Sequence, residues 1–283
     1  MKKGMLRVAL LSCAAISVSP ALANHSWGNY HWARTSNPFT LKVVDAVAGQ
    51  WDPYLNEAIS DWTASSVLNL TKESGGGVNA KKCTAIAGKM LACNAAYGQR
   101  GWLGIASIWA NGDHITQATT KLNDTYFSMA QYNTPAWRRL VTCQEIAHDF
   151  GLDHQDENFN NANLGSCMDY TSDPDGPPSN EHPNQHDFDQ LQTIYNHLDS
   201  STTIASALAA TDFGVRTPGG RAPAAPIADN EAGDSPAEWG RAIHRDGLGR
   251  PDVFVKDLGA GHKKITHVFW ALGEGPRGGH HTD

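Results

Sequence analysis

The sequence is short of positive charge, of long hydrophobic runs and of cysteine. Twenty-two lysines and arginines face 29 acidic side chains, a net charge of −7 over 283 residues. A surface with that balance repels phosphate backbones, so nucleic acid is not an expected partner. Only one apolar stretch has any length, from Val8 to Val18. It is too short to cross a bilayer and no later segment approaches it, so no permanent membrane anchor is expected. None of the five cysteines lies in a C-x-x-C pair, which argues against a cysteine-based metal site. No internal repeat is evident.

Lys2, Lys3 and Arg7 precede the apolar run, and Ala21-Leu22-Ala23 follows it as a small-x-small cleavage sequence. Residues 1–23 therefore read as a signal peptide, and the mature chain is expected to be soluble and either secreted or periplasmic. Its loss leaves 19 basic against 29 acidic side chains. Cys13 leaves with it. Cys83, Cys93, Cys143 and Cys167 then form an even set suited to disulfides in an oxidising compartment. Three pairings are open; the favoured one joins Cys83 to Cys93 across a local loop and Cys143 to Cys167.

The densest chemistry lies in Gln144-Glu145-Ile146-Ala147-His148-Asp149-Phe150-Gly151-Leu152-Asp153-His154, followed by Ser166-Cys167-Met168-Asp169-Tyr170. On a helix, positions 144 and 148 share a face one turn apart, with Glu145 beside them. Gly151 allows a sharp turn that brings His154 back toward the same point. Chance would place Glu, His, Gly and His at these offsets in about one chain in a thousand of this length.

This pattern resembles that of the metzincin zinc metalloproteases, H-E-x-x-H-x-x-G-x-x-H with a downstream Met-turn, with Gln144 in the slot of the first histidine. The resemblance implies a secreted member of bacterial origin that binds zinc through His148 and His154, with Gln144 in the remaining position. It also implies Glu145 as general base, Met168 as the floor beneath the histidines and Tyr170 as a residue that stabilises the oxyanion. An amide oxygen is a poorer zinc ligand than imidazole, so His182 and His186 are considered as substitutes. His25, His31, His114 and His197 lack metal spacing and are assigned surface or cap roles. Asp173-Pro174-Asp175-Gly176 is a turn. Gln155, after the third ligand position, fits no particular branch of the family.

The fold expected is α+β: a metzincin-like catalytic domain over 24–199 with a mixed twisted sheet, a metal-site helix, a Met-turn and a C-terminal helix. Leu41–Val47 alternates as a strand, Asp52-Pro53 starts a helix striped by Leu55, Ile59 and Trp62, and Val67–Thr71 is a second strand. Gly101–Ala110 and Ile115–Asn123 flank an Asn111-Gly112 turn. Thr134-Pro135 opens the metal helix and Asn184 a last helix. In the resembling family the last strand before the metal helix borders the cleft and pairs with extended substrate. Residues 200–238 read as an Ala/Pro/Gly-rich linker. Residues 239–283 form a small segment in which 252–255 and 265–270 make a hairpin around Gly259-Ala260-Gly261.

Two functions are expected from this reading. One is a monomeric, secreted zinc endopeptidase acting on peptides or proteins; the other is a metzincin-fold binding protein that has lost hydrolysis. Retention of Glu145 favours the first and loss of a histidine favours the second. No cysteine lies between Ala23 and the first strand to cap a zinc ion, which leaves control of activity without a sequence explanation.

Overall fold

The computed structural model describes residues 25–205 and 229–276. The segment read as a leader, and residues 206–228 of the segment read as a linker, lie outside it. Strands β1 (His31–Trp32) and β2 (Phe39–Ala46) come first. β2 buries Phe39, Leu41 and Val43 and turns Thr40 and Lys42 outward, the period-two pattern of a strand with one face on a core. Helix α1 (Asp52–Thr63) buries Leu55, Ala58 and Trp62. Ile59 is only partly buried, and a single 3-10 turn at Gly49–Trp51 makes Trp51 the cap, so that Asp52 lies inside the helix.

β3 (Leu68–Ser74), β4 (Met90–Ala95), β5 (Trp102–Asn111) and β6 (His114–Asn123) follow. The short α2 (Asp124–Phe127) leads to α3 (Pro135–His148), and α4 (Gln185–Ile194) comes after a long loop. A last group comprises α5 (Pro236–Trp239), β7 (Arg241–Arg245), β8 (Pro251–Gly259) and β9 (His262–Trp270). Asn184 starts α4 as a full capping box with Asp187.

The strands form one mixed sheet in the order β3-β2-β4-β6-β5-β9-β8-β7, with β1 paired to the start of β6. β2, β3, β4 and β6 run parallel; β5 is antiparallel to both β6 and β9. The architecture is therefore α+β with a mixed sheet, as expected. Its two faces bury different clusters. One, with α1 and α3, holds Trp32, Trp62, Leu140, Ile146 and Phe269; the other, with α5, holds Trp102, Ile105, Trp239 and Val268. Full burial of one such large side chain contributes about 2–3 kcal/mol.

Two differences from the sequence expectation bear on the site. The strand preceding α3 is β6, and both its edges are hydrogen-bonded, to β4 and to β5. It is central and has no free edge for an extended substrate. The C-terminal hairpin is built as expected from β8 and β9, but it pairs with β5 from Asn111 to Trp102 and so shares the main sheet. Both favoured disulfides, Cys83–Cys93 and Cys143–Cys167, are formed. Among the described residues, no helix is long and apolar enough to cross a membrane.

Candidate metal centre

Helix α3 begins where the hydroxyl of Thr134 accepts the Trp137 amide at 3.3 Å, with Pro135 in the first turn. The helix is buried on almost every side, between α1 and the sheet, so Gln144, Glu145 and His148 are all inside. Gly151 then takes φ +98°, and a Cβ there would stand 2.3 Å from the carbonyl oxygen of Tyr30. Only glycine fits, and the turn places the His154 ring 4.9 Å from that of His148.

The third imidazole comes from the far end of the chain. On β9, Ile265, His267 and Phe269 alternate toward the α3 side, and His267 lies opposite Ala106 of β5. Its ring is 4.0 Å from His148 and 4.7 Å from His154. One ligand atom from each of the three histidines falls within 4.8 Å of the others, and the residues are 1%, 7% and 1% exposed in chain order.

Two of the rings are held by one nitrogen each and the third by both. His148 Nδ1 lies 2.8 Å from the Leu152 carbonyl and His154 Nδ1 3.3 Å from Glu157 Oε1, which leaves both Nε2 atoms buried with no hydrogen-bond partner. His267 has Nδ1 3.3 Å from Glu145 Oε2 and Nε2 3.0 Å from the Tyr170 hydroxyl. Three converging imidazoles, two of them with orphaned lone pairs oriented by outer partners, are a donor set that fits zinc. The other Glu145 oxygen, Oε1, is also buried without a partner.

Burial dominates the electrostatics. It raises the Glu145 carboxyl well above its usual range, against the pull of His154 and the Ala106 backbone. It lowers His148 well below the usual imidazole value, with His267 and His154 adding to the effect, and brings His267 down to about 3. At His154 burial is outweighed by Glu157 and Asp153, and the value rises. Neutral imidazoles are the form that binds a cation.

Gln144 stands one turn before His148 with its amide nitrogen donating to the Cys167 carbonyl at 2.8 Å. Its Oε1 is buried and unpartnered, so only that oxygen is available to a cation. Tyr170 packs its ring 4.2 Å from His154, and its hydroxyl also meets Asp252 at 3.4 Å. Met168 is fully buried, and its carbonyl accepts the amide of Gln155, the residue after His154, at 2.6 Å. The two candidate substitutes lie elsewhere: His182 is half-exposed on Asp61 at 2.8 Å, and His186 stacks on His25 at 4.8 Å. The residue missed from sequence is His267. The available signal was a lone imidazole on the inward face of an apolar strand.

No protein-family model matches the chain, and no curated protein does. Among solved structures it is similar to high choriolytic enzyme 1, a hatching enzyme zinc-protease from Oryzias latipes (medaka fish). The two share 12% identity at a TM-score of 0.33, over 59% of this chain and 94% of that one.

Proposed function

We propose that the chain is an exported zinc-dependent endopeptidase, secreted or periplasmic, acting on peptides or proteins as a monomer. The observation that carries this reading is the convergence of His148, His154 and His267 on one buried point beside the carboxylate of Glu145. In this reading those three residues hold the metal, and Gln144 serves as a prop for the loop that contains Met168. A bound zinc ion supplies Lewis acidity, polarising a carbonyl and making water more acidic. Glu145 takes the proton of the attacking water on its free oxygen and returns it to the leaving amine. The Tyr170 hydroxyl, beside His267, donates to the oxygen on which charge develops.

The second reading, a binding protein of the same fold that has lost hydrolysis, is favoured by one observation. Glu145 has no solvent exposure, and β9 lies along the edge of β5 that faces it. Peptidase assays on an unfolded protein such as casein separate the two. The enzyme reading expects cleavage that a chelator abolishes and zinc restores, and Glu145→Gln reduces it by about 10²–10⁴ with metal content unchanged. Stoichiometric zinc without cleavage by the native chain would establish the second reading. Absence of zinc would remove the enzyme reading and leave the binding reading.

A further inference from the structure

We infer that His31, His114 and Asp199, with His197 beside them, form a second zinc-type metal site, remote in the sequence from the first. His31 lies on β1, His114 begins β6, and His197 and Asp199 follow α4, so three distant segments meet there. Donor atoms of His31, His114 and Asp199 all fall within 4.8 Å of one another. Asp199 Oδ1 is 3.5 Å from His31 Nε2, 3.2 Å from His114 Nε2 and 3.8 Å from His197 Nε2, and the His31 and His197 Nε2 atoms are 3.2 Å apart. Ligands at about 2.0–2.1 Å around a tetrahedral ion stand about 3.3–3.4 Å from each other, so these separations are close to the edges of a zinc tetrahedron.

The outer contacts point the same way. His31 Nδ1 is 2.7 Å from the Asn29 carbonyl, so in the neutral ring its N–H is spent there and Nε2 carries a lone pair. That lone pair faces both Asp199 Oδ1 at 3.5 Å and His197 Nε2 at 3.2 Å, a convergence of acceptors that a cation or a shared proton would satisfy. The second carboxylate oxygen, Oδ2, is fixed by the Arg34 backbone amide at 3.1 Å and its guanidinium at 3.0 Å, which aims Oδ1 at the histidines. Such outer partners orient metal ligands. Two imidazoles and one carboxylate, with a further imidazole beside them, suit zinc, not calcium or magnesium. An open cleft of about 360 Å³, lined in part by Asn29, His31, Asp113 and His197, gives access from solvent.

A metal here clips the start of the sheet to the β5–β6 turn and to the segment after α4. Its role is to hold the fold together, independent of any hydrolysis at the first centre.

The test is the zinc content of the full-length chain after equilibration with zinc and dialysis against a mild chelator. His114 and His197 are 41% and 46% exposed at the side chain, so the His114→Ala/His197→Ala variant is expected to fold. The native chain is expected to retain one more zinc per molecule than this variant. Zinc is also expected to raise the melting temperature of the native chain by several degrees more than that of the variant, since ligand binding to the folded state shifts unfolding. Asp199→Asn should lose the same zinc. Equal zinc content and equal melting shifts in the native chain and both variants would overturn the site and identify the cluster as a proton-bridged network.

Discussion

Gln144 donates its side-chain amide to the carbonyl oxygen of Cys167 at 2.8 Å, one residue after Cys143, which is bonded to the same Cys167. Side chain and disulfide thus tie one turn of α3 to one point of the loop that contains Met168. A histidine in place of Gln144 would exchange that tie for a ligand.

If His267 replaces the ligand that Gln144 does not provide, His267→Ala leaves two imidazoles and weakens zinc binding by about 100-fold or more. Adding Gln144→His to that variant restores a third imidazole one turn from His148 and should recover much of the affinity. Competition with a chromogenic chelator measures both. Native affinity in His267→Ala would exclude His267 as a ligand.

Glycine at 104 makes room for Glu145. A Cβ there would lie 2.7 Å from Glu145 Cγ and 2.8 Å from Val141 Cγ1. Gly104→Ala is expected to cost about 1–3 kcal/mol through overpacking, a fall in melting temperature on the order of 5 °C. It should also lower any peptidase activity by displacing Glu145. Unchanged thermal unfolding would mean that α3 and β5 have slack between them.

Removing the Cys143–Cys167 bridge, as Cys143→Ser/Cys167→Ser, should destabilise the chain by about 3.5 kcal/mol through the entropy of the opened loop. The shorter Cys83–Cys93 loop should cost about 0.7 kcal/mol less on the same basis. Denaturant unfolding of the two double variants is the measurement. A chain as stable without Cys143 and Cys167 as with them would contradict the entropic account.

Asp187 gives a pH signature. Burial raises its carboxyl from 3.8 to about 6, opposed by the Asn184 backbone and the Ser166 hydroxyl. Between those values the folded chain keeps a proton that the unfolded chain has released, so stability falls as pH rises through the window, by about 2–3 kcal/mol. Asp187→Asn removes that slope. Urea midpoints for both chains at pH 4 and pH 6.5 should show the native chain losing ground relative to the variant; parallel values would place Asp187 among ordinary carboxylates.

Half of the candidate metal centre was legible in the sequence because half of it is local. His148, Gly151 and His154 sit within one helix end and one turn, where spacing alone determines geometry. His267 is 122 positions from Glu145 and reaches it only through the pairing of β9 with β5, which no local pattern encodes. β4 escaped notice for a related reason: Met90 to Cys93 are buried on both faces, so the run lacks strand alternation. The helix starts at Thr134 and Asn184 were readable because each cap acts through its own side chain within three residues. The His31, His114 and Asp199 cluster was invisible for the converse reason, since none of its members is a sequence neighbour that the others could have marked.

The seating of β9 against β5 also imposes an order on biosynthesis. A copy of the chain cut short before residue 262 carries two of the three proposed ligands and the proposed base but no third imidazole, and without β9 nothing joins β8 and β7 to β5. On the proposed reading, hydrolytic competence would arrive only with β9. On that reading a truncated or half-made polypeptide would lack the means to hydrolyse its surroundings, and the seating of β9 would itself be the safety catch.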